Sequence, residues 1–423
     1  MLLHFIVLTQ LIIFPIFLSK IIYKKKTKNE RMEKRMETRL FKNNEQISLL
    51  GFGTMRLPRI SEDKQDIDYN AAQEMTDYAI ENGINYFDTA YPYHSGESET
   101  VIGRTLKKHD RSRFNLATKM PIWLVKGKAD AEKIFEEQLK KCQVDYFDFY
   151  LVHNINEAFF ESIEKYQIYD FLKQMQAEGK IRYLGFSFHD TPALLEKTVL
   201  KYEWDFAQIQ LNYLDWDLQD AKRQYEILTE KEIPIIVMEP VRGGALATLS
   251  ESAIDILKTA DSNASPASWA IRYAATFPNV LTVLSGMSDM EQLKDNTATM
   301  KNFKPVTQSD QKTIEKAVSA YRESLEIPCT YCRYCMECPS GVHIPKVFAK
   351  YNQQRAKGKD ADMFYFLMEY KLLGESRQAH QCTQCGVCLS KCPQKIDIPG
   401  ELKKIENFAA GSKIKPIKKI KKI

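Results

Sequence analysis

The stretch NYFDTA, residues 85–90, is a short β-forming run that ends in a carboxylate and two small residues. The segment before it, residues 68–82, has the spacing of an amphipathic helix and is stopped by Gly83. Farther along the chain, FNLATK at residues 114–119 is a second run of the same kind. Strand-forming runs that alternate with helix-forming segments are typical of parallel α/β folds.

This alternation continues from about Arg39 to Phe303 and contains eight strand-forming runs. Eight strand–helix units predict an α/β fold, the closed (β/α)8 TIM barrel. A doubly wound sheet is the alternative, but it requires G-x-G-x-x-G after the first strand, and GFGTMR at residues 51–56 lacks the third glycine. The predicted strands are residues 48–53, 85–90, 114–119, 147–153, 181–187, 206–211, 234–239 and 281–286.

The predicted helices fill most of the intervals between these strands. Two of them begin with a strong start signal, because Thr191 and Ser265 are expected N-caps that are each followed by proline at the first helical position. The predicted helices are residues 68–82, 129–142, 157–177, 192–202, 218–230, 266–276 and 290–296.

The charge distribution argues against nucleic-acid binding by the folded part of the chain. The formal net charge of +5 arises at two basic ends, residues 20–35 and the tail at residues 411–423, which each carry a net +6 and leave the rest at −7. A nucleic-acid-binding protein needs a basic face on its folded part. We therefore expect no nucleic-acid partner.

The N-terminal segment, residues 1–35, has two interpretations. Leu2 to Ser19 is 18 residues without a charge, just long enough for a membrane span, and the lysines that follow would keep the rest of the chain on the cytoplasmic side. Alternatively, translation begins at Met32 or Met36. Both interpretations predict a cytoplasmic protein, and only the first adds a membrane anchor, residues 1–23.

Residues beyond Lys304 lose the strand pattern and contain eight of the nine cysteines. CTQCGVCLSKCP, residues 382–393, has the bacterial ferredoxin spacing in which three thiolates bind one [4Fe–4S] cluster and the fourth binds another. CTYCRYCMECP, residues 329–339, has nearly the same spacing. We therefore predict a mainly α-helical, ferredoxin-like iron–sulfur domain at residues 304–410. The first cluster takes Cys329, Cys332, Cys335 and Cys392, and the second takes Cys338, Cys382, Cys385 and Cys388.

Zinc is the alternative metal for these cysteines. Structural zinc usually joins two C-x2-C pairs about 12–20 residues apart, whereas four thiols at three-residue intervals suit a cube better than one tetrahedral ion. Clustered thiols that bind metal also agree with a reducing compartment such as the cytoplasm.

Four polar residues lie at or near the predicted carboxyl ends of three adjacent strands, where barrels of this type keep their active sites. They are Asp88, Lys119 and His153, with Tyr93 five residues beyond the aspartate. A tyrosine beside an ammonium has a lowered pKa and can transfer a proton, a carboxylate holds that ammonium, and a neutral imidazole can donate a hydrogen bond to a carbonyl oxygen. The set predicts reduction of a small-molecule carbonyl substrate.

Through these residues the sequence resembles the aldo-keto reductase family over about residues 36–300, so we place the barrel domain at residues 36–303. The resemblance implies that Tyr93 is the general acid, Lys119 tunes it, Asp88 pairs with Lys119, and His153 orients the carbonyl. The cysteine extension resembles the iron–sulfur branch of this family. The matching motifs are GFGTMRLP (51–58), NYFDTAYPYHSGESE (85–99), LATK (116–119), LVH (151–153), GFS (185–187) and MEPVRGG (238–244).

The resemblance also implies that a nicotinamide dinucleotide, NADH or NADPH, lies across the barrel mouth. Glycines there would let backbone N–H groups approach the phosphate oxygens. The expected contacts are Gly53, Thr54 and Met55 after the first strand, Ser187 and Gln208 at the carboxamide, Met238 under the ring, Pro240, Arg242, Gly243 and Gly244 near the pyrophosphate, and Gln292 and Asn296 at the adenosine.

Two departures from the family pattern bear on this cofactor. Phe188 stands where the family usually has asparagine, which weakens one carboxamide contact. Gly286 and Gln292 stand where the family has basic residues for the adenosine 2′-phosphate. The loss of those charges favours NADH over NADPH.

A [4Fe–4S] cluster accepts one electron at a time, whereas a nicotinamide gives up two as hydride. We expect the clusters to act as an electron relay, with a flavin at the barrel mouth or an external ferredoxin or flavodoxin as candidate partners. Two alternatives stay open: the clusters are structural, or the protein is an electron carrier or interaction protein with a silent barrel.

Overall fold

The computed structural model describes residues 35–60, 66–323, 325–327, 329, 335, 336, 338–356, 363–371, 373–392 and 395–411. The predicted N-terminal anchor, all but the first residue of the basic tail, and Cys332 lie outside the described residues. No helix within these ranges has both the length and the apolar character that a membrane crossing requires.

Eight parallel strands close into a barrel in chain order, with the last strand paired to the first, which confirms the predicted fold class. Every predicted strand is present, and its ends differ from the prediction by at most two residues. An antiparallel hairpin of β1 (Thr38–Leu40) and β2 (Gln46–Ser48) precedes the barrel. The barrel strands are β3 (Leu50–Gly53), β4 (Tyr86–Asp88), β5 (Asn115–Met120), β6 (Phe147–Ile155), β7 (Ile181–Phe188), β8 (Phe206–Gln210), β9 (Ile235–Met238) and β10 (Val280–Gly286).

Helices surround the barrel and bury their apolar faces against its outer surface. Ser265 caps its helix as predicted, since its hydroxyl accepts a hydrogen bond from the Ser268 N–H, whereas the Thr191 side chain makes no such bond. The described α-helices are α1 (Tyr69–Glu81), α2 (Ser98–Leu106), α3 (Lys128–Cys142), α4 (Glu157–Lys165), α5 (Ile168–Ala177), α6 (Pro192–Lys201), α7 (Asp215–Leu218), α8 (Ala221–Glu230), α9 (Glu251–Ala260), α10 (Pro266–Thr276), α11 (Met290–Lys301), α12 (Gln308–Glu323), α13 (Ile344–Ala356), α14 (Met363–Lys371) and α15 (Ile398–Gly411).

Two differences from the predicted helices have a local cause. The predicted helix at residues 157–177 is wrong as a single element, because Gln167 adopts a left-handed conformation with φ of 53° and separates α4 from α5. Helix α2 was not predicted, since Gly103 weakens its helical signal. That glycine is required by packing, because a Cβ at this position would lie 2.6 Å from the backbone carbonyl of Cys142.

The hairpin closes the amino-terminal end of the barrel. Phe41 and Ile47 are buried inside it against Tyr86, Phe149 and Phe206, which line the lower interior. The Arg39 guanidinium holds the hairpin in place by donating a hydrogen bond to the carbonyl oxygen of Phe277 at 2.6 Å. The carboxyl ends of the strands therefore form the open end of the barrel.

Helix α12 packs with the barrel. Ile314 and Ala317 on this helix are buried in the same hydrophobic core as the barrel helices. The sequence-based boundary at residue 303 marks the end of the strand pattern, but a helix can add to a barrel core without adding a strand. We therefore propose a boundary after Glu323.

The residues that follow α12 form a second hydrophobic core of their own, which includes Val342, Phe348 and Leu402. The short segment before the first cysteine run is fixed to this core. Ile327 is fully buried, and its N–H and carbonyl groups bond to the amide side chain of Asn352 at 2.9 and 2.7 Å. These bonds fix the position of the chain two residues before Cys329, the first cysteine of the run.

Candidate active site and cysteine cluster

Strand register brings three of the predicted catalytic side chains to one place. Side chains two residues apart on a strand share a face of the sheet. Asp88 pairs with Ala117, two residues before Lys119, and Lys119 pairs with Leu151, two residues before His153. Asp88, Lys119 and His153 therefore project from the inner face of three adjacent strands, each one step nearer the barrel mouth.

Lys119 is buried between two oxygen acceptors. Its Nζ donates hydrogen bonds to Asp88 Oδ1 at 2.6 Å and to the Thr89 carbonyl oxygen at 2.7 Å, and the residue is 1% exposed. Burial lowers the pKa of Lys119, but Asp88 and Tyr93 more than offset this, so the pKa lies above its usual value. The ammonium therefore stays charged at neutral pH.

Tyr93 lies in a helical turn directly above this ion pair. Its ring centroid is 5.1 Å from Lys119 Nζ and 6.3 Å from the ring of His153. Burial raises the pKa of Tyr93, and the nearby ammonium opposes the rise without cancelling it. The sequence-based expectation of a lowered pKa was therefore wrong in its net direction. The Tyr93 hydroxyl is protonated at neutral pH.

His153 completes the group at the mouth. The residue is 8% exposed, and its ring lies 5.1 Å from the ring of Trp123. Burial, Lys119 and His189 together lower the pKa of His153 well below the usual value. The imidazole is neutral at pH 7 and can offer a ring N–H to a bound oxygen atom.

Tyr91, the other tyrosine of this loop, does not line the catalytic cleft. Its hydroxyl donates a hydrogen bond to Glu137 Oε2 at 3.2 Å. Among the two tyrosines, only Tyr93 lines the open cleft, which extends from the catalytic group across the barrel mouth.

This cleft has a volume of about 660 Å³ and reaches from Lys119 to helix α11. Gln208 Oε1 is buried on its wall without a hydrogen-bond partner in the described structure, as suits a site for the amide donors of a nicotinamide. Ten of the twelve predicted dinucleotide contacts line the cleft, namely Gly53, Met55, Ser187, Gln208, Met238, Pro240, Gly243, Gly244, Gln292 and Asn296.

The other two predicted contacts, Thr54 and Arg242, lie outside the lining of the cleft. Thr54 is fully buried below the cleft, where its hydroxyl donates a hydrogen bond to the Asp88 carbonyl oxygen at 3.0 Å. Arg242 Nε donates to Oδ1 of the buried Asp215 at 3.1 Å. Neither side chain lines the cleft.

Sequence reasoning missed Arg56, which lines the cleft two residues after Thr54. A Cβ built on Gly286 would lie 3.3 Å from its side-chain carbons, and one built on Gly243 would lie 3.2 Å from Nη2. The side chain therefore spans the mouth between these two glycines. The cations among the described lining residues are Arg56 and Lys119, and Lys119 already has a carboxylate partner. Arg56 is thus the cation available to a phosphate group.

Five of the predicted cluster cysteines face one cavity in the C-terminal unit. Cys388 interacts electrostatically with the thiols of Cys338, Cys382 and Cys385, which is the set predicted for the second cluster. Among described residues, no three His, Cys, Asp or Glu side chains form a site for a single metal ion. Soft thiolate donors around one cavity suit an iron–sulfur cluster. The lining cysteines are Cys335, Cys338, Cys382, Cys385 and Cys388.

Comparison with known proteins agrees with this geometry. The profile of the Aldo/keto reductase family matches residues 49–319, which is well over half of the chain. The chain belongs to the aldo/keto reductase family. The profile of the 4Fe-4S dicluster domain matches residues 328–396, so this aldo/keto reductase carries an iron–sulfur domain after its barrel.

Relatives of this aldo/keto reductase align mainly with its barrel. The uncharacterized oxidoreductase YqkF of Bacillus subtilis is 25% identical over 301 residues, covering 64% of this chain and 92% of YqkF. The NADH-specific methylglyoxal reductase of Escherichia coli is 26% identical over 298 residues, covering 60% of this chain and 90% of that protein. The holo structure of aldo-keto reductase AKR11C1 from Bacillus halodurans superposes with a TM-score of 0.55 at 25% identity, covering 67% of this chain and 96% of that one.

We expect the activity of this aldo/keto reductase to show no loss from imidazole protonation near pH 6.5. The pKa of His153 is held well below its usual value, so the folded imidazole stays neutral there while an unfolded one takes up a proton. His153 therefore lowers stability as the pH falls below about 6.5, because the unfolded state then binds more protons. A pH profile of kcat/KM between pH 6 and 8 tests the first point, and an inflection near 6.5 that disappears in His153→Gln would contradict it.

A second expected result concerns Arg56. Replacing it with methionine removes the available cation from the cleft, so the Kd for NADH should rise about tenfold, the value of one charge-assisted hydrogen bond. Quenching of NADH fluorescence measures the Kd. The exposed neighbour Arg59 does not line the cleft, and Arg59→Met is the matched control. Equal affinities in the two variants would remove Arg56 from the binding site.

Proposed function

We propose that the barrel is an NAD(P)H-dependent reductase of small carbonyl compounds, with Tyr93, Lys119, Asp88 and His153 as its catalytic residues. The observation that carries this proposal is the buried Lys119 ammonium, held 2.6 Å from Asp88 below the Tyr93 ring. This group lies at one end of a cleft with room for a dinucleotide. Membership of the aldo/keto reductase family supports the same conclusion.

Each residue has a distinct role in the proposed reaction. When bound, the nicotinamide supplies a hydride to the carbonyl carbon. The Tyr93 hydroxyl gives its proton to the carbonyl oxygen, which completes the alcohol, and the Lys119 charge stabilises the phenolate that is left. Asp88 holds the ammonium in place, while a neutral His153 donates a hydrogen bond that stabilises negative charge on the oxygen.

For the substrate class, we propose small 2-oxoaldehydes and related dicarbonyls. The supporting relatives include the methylglyoxal reductases of Escherichia coli and the glyoxal reductase of Bacillus subtilis, which is 26% identical over 187 residues. The test is NADH oxidation by anaerobically purified protein with methylglyoxal, with a simple aldehyde of similar size for comparison. Absence of turnover with any carbonyl compound would contradict the proposed function.

For the dinucleotide, we propose a preference for NADH. Asp295 lines the adenosine end of the cleft beside Gln292 and Asn296, and its carboxylate would oppose a 2′-phosphate. We expect kcat/KM to be at least about tenfold higher with NADH than with NADPH, the size of one unfavourable charge contact. Initial rates with the two dinucleotides measure this ratio, and Asp295→Asn is expected to reduce it. A ratio favouring NADPH would contradict the proposal.

For the C-terminal unit, we propose two [4Fe–4S] clusters on the eight cysteines, acting as an electron relay to a ferredoxin, a flavodoxin or a flavin. When bound, such clusters exchange single electrons. The alternative is that the clusters only stabilise this unit. Electron paramagnetic resonance distinguishes the two: signals from reduced clusters after addition of NADH and substrate, or of reduced ferredoxin, support the relay, and their absence with every donor supports the structural role.

A further inference from the structure

A fully buried carboxyl group that the proposed reaction does not use lies behind the strand of Lys119. Glu99 is 0% exposed and belongs to the first turn of helix α2. Its Oε1 accepts hydrogen bonds from Thr118 Oγ1 and from Gln138 Nε2, each at 2.6 Å. The same Gln138 Nε2 donates to the Lys119 carbonyl oxygen at 3.0 Å. The carboxyl group is therefore linked to the strand that carries the lysine in two ways: directly through the Thr118 side chain, and through Gln138 to the Lys119 carbonyl oxygen.

Glu99 and Lys119 act from opposite faces of β5. Neighbouring side chains on a strand point to opposite sides of the sheet. Thr118 thus faces helix α2 while Lys119 faces the barrel interior, where its ammonium meets Asp88. Asp88 and Tyr93 are the charged or ionisable neighbours that raise the pKa of Lys119, and Glu99 is not among them, so we place the influence of Glu99 in the position of the strand.

The residue before Glu99 makes the matching contacts on the Asp88 side. Ser98 is fully buried, and its Oγ lies 2.7 Å from Thr54 Oγ1 and 3.0 Å from Thr89 Oγ1. Thr54 bonds to the Asp88 carbonyl oxygen, and the Thr89 carbonyl oxygen accepts from Lys119 Nζ. Two consecutive side chains of one helix therefore brace both members of the ion pair.

We propose that Glu99 is a positioning residue for the Lys119 ammonium, acting through Thr118 and Gln138, and that Ser98 does the same for Asp88. The expected change in kcat rests on the proposed function, whereas the expected change in the ionisation of Tyr93 does not. Placement of the lysine determines how strongly it favours ionisation of Tyr93. Loss of Glu99 should therefore lower kcat and raise the pKa of Tyr93, without weakening dinucleotide binding.

The test compares Glu99→Ala with Thr105→Ala. Thr105 is buried on the same helix and bonds to Ile102 and Thr76 instead of to the catalytic strands. We expect kcat to fall on the order of 10- to 100-fold in Glu99→Ala, the usual cost of a displaced catalytic group. The Kd for NADH should stay within about twofold, and Glu99→Gln should recover most of the rate because an amide oxygen can keep the Thr118 bond. Thr105→Ala should keep the wild-type kcat.

A second measurement needs no turnover. Titration at 295 nm of each protein, minus the same protein carrying Tyr93→Phe, isolates the ionisation of Tyr93. The midpoint should move to higher pH in Glu99→Ala and stay in place in Thr105→Ala. If Glu99→Ala does not fold, Thr118→Val removes the strand-side donor at constant volume and should shift the same midpoint. An unmoved midpoint overturns the inference, whereas absent carbonyl turnover with a shifted midpoint overturns only the proposed function.

Discussion

Replacing Tyr93 with phenylalanine is expected to lower kcat for carbonyl reduction by about 10³-fold, within the range measured for the loss of a general acid. The reason is that Tyr93 is the phenol placed at the ion pair, with its ring 5.1 Å from Lys119 Nζ. Phenylalanine keeps the packing against His153 and removes the transferable proton. The decrease in NADH absorbance with methylglyoxal as substrate measures the effect.

Tyr91→Phe is the control for this experiment, since the Tyr91 hydroxyl bonds to Glu137 and the variant removes a phenol from the same loop. Tyr91→Phe should retain wild-type turnover. Both variants should retain the wild-type iron content. Both should also bind NADH within about twofold of the wild-type affinity, because neither hydroxyl group is expected to contact the dinucleotide in the ground state. Undiminished turnover in Tyr93→Phe would mean that another group supplies the proton.

Replacing Cys388 with serine is expected to halve the iron content, from about eight to about four atoms per chain, because a serine oxygen is a poor ligand for an iron–sulfur cluster. Cys388 faces the cavity shared with Cys338, Cys382 and Cys385, so its loss should remove one cluster and spare the other. Iron and acid-labile sulfide assays on anaerobic protein, together with the visible spectrum, measure the result.

Cys142, the one cysteine of the sequence outside the two cysteine runs, gives the control. Cys142 is buried in the barrel core, and Cys142→Ala should leave iron and sulfide unchanged. Loss of all iron from Cys388→Ser would show that the two clusters depend on each other. Colourless wild-type protein that contains zinc and no acid-labile sulfide would contradict the assignment of iron–sulfur clusters.

The barrel was predictable because its strands carry a local signal. Runs such as residues 147–153 and 181–187 are mostly apolar on both faces, with Asp148 and Arg182 as the charged exceptions, as is typical of parallel strands buried between a core and a layer of helices. The catalytic group followed from the same pattern, because Asp88, Lys119 and His153 sit at strand ends. Their positions at the ends of three adjacent strands were enough to predict that the three side chains share one site.

The sequence was least informative where long-range packing decides the position of a side chain. Arg242 was expected near the pyrophosphate, but its Nε donates a hydrogen bond to the buried Asp215, 27 residues away in the chain, and its side chain does not line the cleft. Arg56 was overlooked although it lies only three residues after Gly53, the last residue of the first barrel strand. The direction of the Tyr93 pKa shift also escaped prediction, because a neighbouring ammonium is visible in the sequence and the degree of burial is not.

The hairpin that plugs the base of the barrel also sets the direction in which the chain enters the fold. Met36 is buried against Gly83 at this base, so the first described residues of the chain lie on the side opposite the open mouth of the barrel. A surface attached close to residue 35 would therefore face the base of the barrel and not its mouth. Immobilisation through the N-terminus is therefore the preferred orientation for assays in which the mouth of the barrel must stay accessible.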